Sequence, residues 1–193
     1  PDWSNIRVIN RGQLPPRSYF FLYQNEHNAL SRSLDPATSL CLSGKWKFHH
    51  SPNPFEAPQD FHQPEYNSTS WDEIMVPGHW QLQGWGKPQY SNINYTFPVD
   101  PPNIPLDQNQ TGSYVRRFEI PKSLVGQRLR LRFEGVDSAF HVYLNGMEVG
   151  YSQGSRNPAE FDVSHLVSWT QENTLAVRVY QFCDGSYLED QDQ

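Results

Sequence analysis

The sequence lacks the features of several large protein classes. It has only two cysteines, Cys41 and Cys183, and because they lie far apart we expect no disulfide framework. No apolar run approaches the roughly 20 residues that cross a bilayer, and no basic and apolar signal peptide opens the chain. The 16 prolines disfavour long helices. We therefore expect a cytoplasmic protein with no membrane partner.

The chain also has fewer basic than acidic residues. The net charge is -6 and the isoelectric point is near 5.6, which argues against binding to a phosphate backbone as the main task. Nucleic acid is thus not an expected partner. Aromatic residues, by contrast, make up 14 % of the chain. Such rings can stack on the C–H faces of sugars, although most aromatic residues of a β-sandwich simply form its core.

Alternating side chains predict strands in the second half of the chain. Residues 128–134, RLRLRFE, alternate apolar with charged side chains, as in a strand with one buried face. Residues 114–120 and 174–182 alternate similarly. In residues 140–151, Asn145-Gly146 separates two apolar-rich arms and supplies the positive φ angles of a type I′ hairpin turn.

The rest of the chain indicates a sandwich that follows an irregular arm. Residues 1–40 show no sustained period, apart from a short helical turn expected near 26–30. From residue 41 onward, extended segments alternate with loops rich in proline and asparagine, and 161–167 offers Asp162 or Ser164 as the cap of one helical turn. The predicted fold is all-β: an extended arm, 1–40, before an antiparallel β-sandwich, 41–193.

The acidic end of the chain invites a catalytic interpretation that its spacing does not support. Glu189, Asp190 and Asp192 fall within four residues, whereas the two acids of a glycosidase flank the bond from separate elements. These acids are more often surface or ion-binding groups. The sequence also lacks a nucleophile elbow, a P-loop, a dinucleotide fingerprint and zinc-ligand spacing. Chemistry alone thus indicates no complete catalytic site.

Oxygen ligands for a hard cation are present but scattered. Mg²⁺ and Na⁺ prefer carboxylate, amide and backbone oxygens. Such groups occur near the start of the chain, in YSQG and in CDGS, yet spacing alone does not connect these three places. From the residues alone, the chain is a β-sandwich with possible carbohydrate or cation contacts.

Longer stretches of the sequence resemble one enzyme family. The segment VPGHWQLQGWGKPQYSNINYTFPVDPPNIP (76–105) is similar to the N-terminal domain of the β-galactosidases of glycoside hydrolase family 2, and so are RLRFEGVDSAFHVYLNGMEVGYSQGSRNPAEFDVS and DGSYLEDQD. The resemblance implies a jelly-roll-like sandwich of the galactose-binding-domain type, the first of five domains. The family's TIM barrel carries both catalytic glutamates and is absent from these residues, so we expect no catalytic residue and no activity from this chain alone.

The resemblance also implies binding residues. Asn92 and Asp192 match residues that reach into the galactose subsite, Ile93 would line its edge, and Asp192 further matches a ligand of an active-site Na⁺. A Mg²⁺ that pins the arm to the sandwich would be held by a set drawn from three segments. Its predicted ligands are Asp2, Asn5, Val8 through its carbonyl, Gln153 and Asp184.

Three roles remain open at this point. The chain could be the N-terminal domain of an enzyme that cleaves β-galactosides such as lactose, with downstream domains of the same chain as partners. It could instead be an independent carbohydrate-binding module. It could also be a non-catalytic interaction module whose arm mediates subunit contact, which suits the homo-oligomer that the family resemblance implies.

Overall fold

The computed structural model describes residues 1–88 and 95–189, and strands dominate it. The strands are β1 (Asn10–Arg11), β2 (Gly44–Ser51), β3 (Asp72–Val76), β4 (Thr111–Phe118), β5 (Arg130–Phe133), β6 (Ala139–Leu144), β7 (Met147–Gln153), β8 (Ala159–Asp162) and β9 (Asn173–Tyr180). The helical segments are α1 (Glu26–Leu30) and the 3-10 helices Asp2–Ser4, Trp80–Gln83, Lys122–Leu124 and Asp184–Tyr187. Within the described ranges no helix is both long and apolar enough to span a bilayer.

Two antiparallel sheets pack face to face. The larger has seven strands in the order β1-β7-β6-β9-β4-β2-β3, and the smaller pairs β5 with β8. Phe161 of β8 and Phe140 of β6 are buried in the core between them, together with Trp46 and Phe48 on one face of β2. This architecture confirms the predicted all-β sandwich.

The strands predicted from local alternation are present. The hairpin turn falls at Asn145 and Gly146, with φ angles of 52° and 82°, and joins β6 to β7 as predicted. Strand β9 differs from a strand with one buried face, because all eight of its residues are buried. Residues 52–71 cover its second face, where Phe61 packs on Ala176. Even Arg178 is only 6 % exposed, with its guanidinium over the Phe61 ring.

The arm is more ordered than the absence of a sequence period predicts, because it joins both sheets. β1 pairs with β7 and forms one edge of the larger sheet, and Gln13 then forms an antiparallel bridge to Phe161 of β8. Leu14 N–H donates to the Glu160 carbonyl at 2.8 Å. Arg17 donates two hydrogen bonds to the Glu160 carboxylate, from Nε at 2.8 Å and from Nη2 at 2.6 Å. The arm therefore closes one side of the sandwich.

Glu160 holds the arm as a charged group. Burial alone would raise the pKa of the Glu160 carboxyl, but hydrogen bonds and charges from Arg17 and Arg132 outweigh burial and hold the pKa below its ordinary value. A carboxylate that is 6 % exposed and paired with the guanidinium groups of Arg17, Arg130 and Arg132 favours one geometry strongly. The contact with Arg17 thus fixes the arm at this point.

The turn after β8 has the cap that the sequence predicts. Ser164 N–H and Oγ–H both donate to Asp162 Oδ1, at 3.1 and 2.7 Å, and Arg128 Nε–H donates to Oδ2 at 2.9 Å. The bonds from Ser164 and the charge of Arg128 lower the pKa of Asp162 to about 2. Leu166 N–H then bonds to the Val163 carbonyl and completes one helical turn.

Stability should therefore depend on Asp162 in a defined pH window. Its folded pKa is depressed, so its contribution is present above the unfolded value of 3.8 and is lost as pH falls towards about 2. We expect Asp162→Asn to destabilise the chain by about 1 kcal/mol at pH 7, a modest cost because exposed ion pairs are screened. Urea unfolding between pH 7 and pH 2.5 measures this difference, which should shrink below pH 4. The exposed Asp107→Asn variant is the control, and a constant difference across the range would contradict the prediction.

Candidate functional site

The first predicted metal ligand lies where the arm begins. Asp2 opens a 3-10 helix in which Trp3 is 3 % exposed and stacks on Tyr180, with ring centroids 5.4 Å apart. Asp2 Oδ2 lies 2.6 Å from Arg11 Nη2 and 3.0 Å from His141 Nε2. Burial lowers the pKa of His141, although its contact with Asp2 opposes that shift. The arm thus places the Asp2 carboxylate against β6.

The next two predicted ligands form a turn. Val8 N–H donates to the Asn5 carbonyl at 2.8 Å, and Arg7 N–H donates to Asn5 Oδ1 at 3.2 Å. The turn follows the Asp2–Ser4 helix directly, so the three arm ligands occupy one short compact segment. A ligand set from adjacent turns is easily held together once the arm is docked.

The two sandwich ligands contact each other. Gln153, at the end of β7, donates from Nε2 to Asp184 Oδ1 at 2.9 Å, while its Oε1 accepts a bond of 2.7 Å from the Tyr151 hydroxyl. Asp184 is 8 % exposed at the start of the 3-10 helix Asp184–Tyr187. Its second oxygen, Oδ2, is buried and has no hydrogen-bond partner among the residues that the structure describes. An orphaned carboxylate oxygen is costly, and a bound cation would remove that cost.

Tyr151 is a buried side chain whose hydroxyl bonds to the sandwich ligand Gln153. Burial raises the pKa of its hydroxyl, and the negative charges of Asp184 and Asp2 raise that pKa further. Both carboxylates therefore act on the same buried side chain. Among residues 1–88 and 95–189, no three His, Cys, Asp or Glu side chains gather as metal ligands. The predicted set differs from such a cluster because it combines two carboxylates with neutral oxygens, which suits a hard cation.

The predicted sugar ligands Asn92, Ile93 and Asp192 lie outside the described residues. Their nearest described neighbours do contact each other. Tyr95 Oη–H donates to the Tyr187 carbonyl at 2.8 Å, and the two rings have centroids 5.3 Å apart. The structure therefore brings together two points that are 92 residues apart in sequence. Each point is close in sequence to a predicted sugar ligand.

The Tyr187 side chain contacts several residues of the loop that follows residues 89–94. Its hydroxyl accepts a 3.0 Å bond from Asp100 N–H and donates to the Asn103 carbonyl. Its ring meets the Phe97 ring edge to face, with centroids 5.4 Å apart. Tyr95, Phe97, Asp100 and Asn103 all belong to the loop that follows residues 89–94. One side chain thus fixes the near end and the far end of this loop.

Glu189 is fixed by the turn after β7. Its Oε1 accepts a 2.8 Å bond from Ser155 N–H, and both of its carboxylate oxygens lie 2.8 Å from Ser155 Oγ. The Asp137 carboxylate lies 2.6 Å from the same hydroxyl. The Ser155 hydroxyl has a single proton, for which Glu189 and Asp137 compete. The Ser155 backbone N–H, by contrast, is a donor that Glu189 need not share. The last described residue of the chain is therefore anchored.

Several aromatic side chains that the sequence offers as sugar platforms are core instead. Tyr151 is fully buried and Trp80 is 5 % exposed. The sequence analysis assigned no individual role to Ser155, Tyr95 or Tyr187. Their partners are far away in the sequence, so no local pattern could have revealed them. For Tyr95 and Tyr187, the one available signal is that they are close in sequence to 89–94 and 190–193.

A family model now decides the assignment. The model described as "Glycosyl hydrolases family 2, sugar binding domain" matches residues 40–193. The chain belongs to this family of sugar-binding domains. The fold agrees, since the strands that carry the match form the two packed sheets.

Curated relatives of this family 2 domain are much longer proteins. A β-galactosidase of Vibrio vulnificus (strain CMCP6) is 47 % identical over 193 residues, which is 99 % of this chain and 18 % of the relative's length. A β-galactosidase of Halalkalibacterium halodurans is 44 % identical over 194 residues, again 18 % of its length. The chain therefore spans about a fifth of the relatives that it matches.

Solved structures share the fold of this family 2 domain. The β-glucuronidase of Bifidobacterium dentium, complexed with coumarin-3-O-glucuronide, superposes with a TM-score of 0.53 at 28 % identity, over 72 % of this chain and 19 % of that one. The β-glucuronidase of Ruminococcus gnavus in complex with D-glucuronic acid has a TM-score of 0.52 at 20 % identity, which shows a common fold alone.

Proposed function

We propose that this chain is the sugar-binding domain of a β-galactosidase and supplies galactose-subsite residues to a catalytic centre built elsewhere in the enzyme. The contact between Tyr95 and Tyr187 supports the proposal, because it joins two described residues that are close in sequence to the predicted sugar ligands Asn92 and Asp192.

The chemistry of these residues suits a hexose. The carboxylate of Asp192 accepts hydrogen bonds from sugar hydroxyls, and the amide of Asn92 both donates and accepts. Ile93 adds an apolar edge to the pocket. Such contacts orient the galactoside, while hydrolysis of its bond needs acids that this chain does not supply. The domain is thus a binding and orienting part of a hydrolase.

Two cations would assist the domain. Mg²⁺ would be held by Asp2, Asn5, the Val8 carbonyl, Gln153 and Asp184. The buried Asp184 Oδ2, which lacks a hydrogen-bond partner in the described part of the chain, supports this assignment. The ion would neutralise the two carboxylates and link the arm to the sandwich. Na⁺ would be held by Asp192, where it would help to bind a galactosyl hydroxyl. The role of the chain's own residues is to bind and orient; no bond is broken on either ion.

Kinetics in a full-length family enzyme carrying these 193 residues test the proposal. We expect Asp192→Asn to raise KM for nitrophenyl β-galactoside about tenfold or more, because a hydrogen bond to a charged group contributes about 1.5–3 kcal/mol. We expect Asn92→Ala to raise KM about fivefold, as suits the loss of a neutral hydrogen bond. Unchanged KM values in both variants would refute the galactose-subsite role.

Assays of the isolated chain distinguish this role from that of an independent carbohydrate-binding module. It should hydrolyse no nitrophenyl galactoside, and calorimetry should detect no micromolar binding of galactose. Micromolar binding that Asn92→Ala abolishes would instead favour the independent carbohydrate-binding module. Turnover that depends on Asp190 or Asp192 would overturn the non-catalytic assignment.

Subunit contact through the arm is a second role that one observation favours. The side chains of Tyr19, Phe20, Phe21 and Leu22 are between 44 % and 64 % exposed in one continuous stretch. Exposed apolar patches of this kind mark contact surfaces. The stretch would pack against downstream domains or a second copy in a homo-oligomer, and this role is compatible with sugar binding.

A further inference from the structure

Arg178 is a buried cation on the face of the larger sheet that residues 52–71 cover. Its side chain is 6 % exposed, and its guanidinium lies 4.5 Å from the centroid of the Phe61 ring. Nη2 donates to the Pro58 carbonyl, so Arg178 also contacts the backbone of the covering segment. Arginine side chains are almost never this buried unless a negative charge pairs with them. The surroundings of Arg178 should therefore contain an anion.

No carboxylate in the described part of the chain pairs with Arg178. Burial lowers the pKa of Arg178, and the groups that oppose this shift are Tyr180 and Tyr143, neither of which is an acid side chain. Neutral hydroxyls offset the cost of burying a charge less well than a paired anion does. Within residues 1–88 and 95–189, the positive charge of Arg178 is thus uncompensated.

Two buried donors that lack acceptors lie beside each other at this place. Arg178 Nε and Ser113 Oγ are both buried without a hydrogen-bond partner among the described residues. Ser113 of β4 pairs directly with Arg178 of β9, which places the two side chains on one face of the sheet with Cβ atoms about 4.5–5.5 Å apart. Unsatisfied buried groups of this kind indicate a bound ion or water molecule.

The neighbouring side chains in the same row of the sheet carry no negative charge. His49 of β2 pairs with Ser113, and His141 of β6 pairs with Arg178. Burial lowers the pKa of His49, and the charges of His50 and Arg178 lower it further. The row His49, Ser113, Arg178 and His141 therefore offers positive charge and hydrogen-bond donors, which suits an anion.

We propose that Arg178 and Ser113 bind a chloride ion between the larger sheet and residues 52–71. One anion accepts hydrogen bonds from both unpaired donors and neutralises the guanidinium. A water molecule brings no charge, and its own two protons then need acceptors. Because Ser113 is fully buried, the space suits a monatomic ion rather than an organic acid. This site shares no residue with the predicted metal and sugar ligands, so it goes beyond the proposed function.

Chloride should therefore raise the thermal stability of the isolated chain. We expect a Tm increase of about 3–6 °C at ten times the Kd, because the ion binds only the folded state. Scanning calorimetry in EDTA measures it while sodium chloride replaces sodium gluconate at constant ionic strength, which removes general screening. An equal Tm in the two salts would overturn the proposal.

Variants of the two ligands test the assignment. Ser113→Ala should raise the chloride concentration at the midpoint of the Tm increase about tenfold, with no loss of Tm in gluconate, because the unpaired hydroxyl is gone. Arg178→Met should abolish the chloride effect, and Ser113→Ala alone decides if that variant does not fold. The matched control is Arg117→Met, an exposed arginine of β4 that pairs with Glu172 and should leave the effect intact. A chloride effect that Ser113→Ala leaves unchanged would contradict the assignment.

Bromide locates the ion directly, because it scatters anomalously and substitutes for chloride. Crystals of the chain grown in sodium bromide should show an anomalous peak beside Arg178 Nε and Ser113 Oγ. A water molecule there, or no peak, would refute the site. A peak together with a Tm that is equal in chloride and gluconate would show an adventitious ion only, and would refute it as well.

Discussion

Replacing Gly150 with alanine should release the arm from the sandwich. A Cβ atom at this position would lie 2.1 Å from the Arg11 carbonyl oxygen and 2.9 Å from Cε1 of the Phe161 ring. The backbone atoms of two paired strands cannot yield as a flexible side chain can, so β1 must move away from β7. We expect a cost of about 1–3 kcal/mol, the usual range for overpacking a well-packed site.

Limited proteolysis would measure that release. Trypsin can cut after Arg7, Arg11 and Arg17, and cleavage there should become about ten- to a hundredfold faster in Gly150→Ala, since about 1.4 kcal/mol of opening free energy corresponds to a factor of ten. The control is Gly126→Ala, because Gly126 has a φ of +78° and no atom within 4 Å of an added Cβ. That variant should lose some stability to backbone strain but keep its arm protected. Equal cleavage of the two variants would contradict the assigned contact.

The docked arm illustrates what the sequence cannot supply. Residues 1–40 carry no period because they are held by scattered contacts rather than by one continuous face. Asn10 pairs with Ser152, and Arg17 pairs with Glu160, each across more than 140 residues of chain. A glycine such as Gly150 gives no local sign that another strand's carbonyl rests on it. Pairings of this length depend on the whole fold.

Local patterns succeeded where the determinant itself is local. Asn145-Gly146 specifies its turn because both residues adopt positive φ, so the β6–β7 hairpin could be predicted in detail. Strand β9 was located correctly, but burial of its second face depends on residues 52–71, which read as a proline- and asparagine-rich loop. That loop supplies Phe61, and its burial under Arg178 has no local signature.

The candidate site, too, could be predicted only in part from the sequence. Residue types suggested a hard cation, but only the resemblance to a family joined Asp2 to Gln153 and Asp184, since no spacing rule connects them. The structure adds the contact between Gln153 and Asp184, and a buried Asp184 Oδ2 with no hydrogen-bond partner among the described residues. Neither the residue types nor the family resemblance predicted the hydrogen bond between Tyr95 and Tyr187. Tyrosine hydroxyls that bond to distant carbonyls look like any other tyrosine in a sequence.

Magnesium should raise the thermal stability of the chain through Asp184. A ligand that binds only the folded state at ten times its Kd contributes about 1.4 kcal/mol, which corresponds to a Tm increase of about 3–6 °C for a chain of this size. We expect this increase on titration of the isolated chain with MgCl2 at constant ionic strength, and its loss in Asp184→Asn. Scanning calorimetry measures both, with the exposed Asp107→Asn as the matched control.

The sign of the Asp184→Asn effect without metal gives a sharper test. In wild type the buried Oδ2 has no hydrogen-bond partner within residues 1–88 and 95–189, and a carboxylate in that state bears a larger desolvation cost than an amide of the same shape. In EDTA, Asp184→Asn should therefore be as stable as wild type or more stable, whereas in excess Mg²⁺ wild type should be the more stable protein. A purely structural carboxylate would give a destabilised variant in both buffers. A variant that is equally destabilised with and without Mg²⁺ would thus refute the metal assignment, because only a bound cation makes the ranking of the two proteins depend on magnesium.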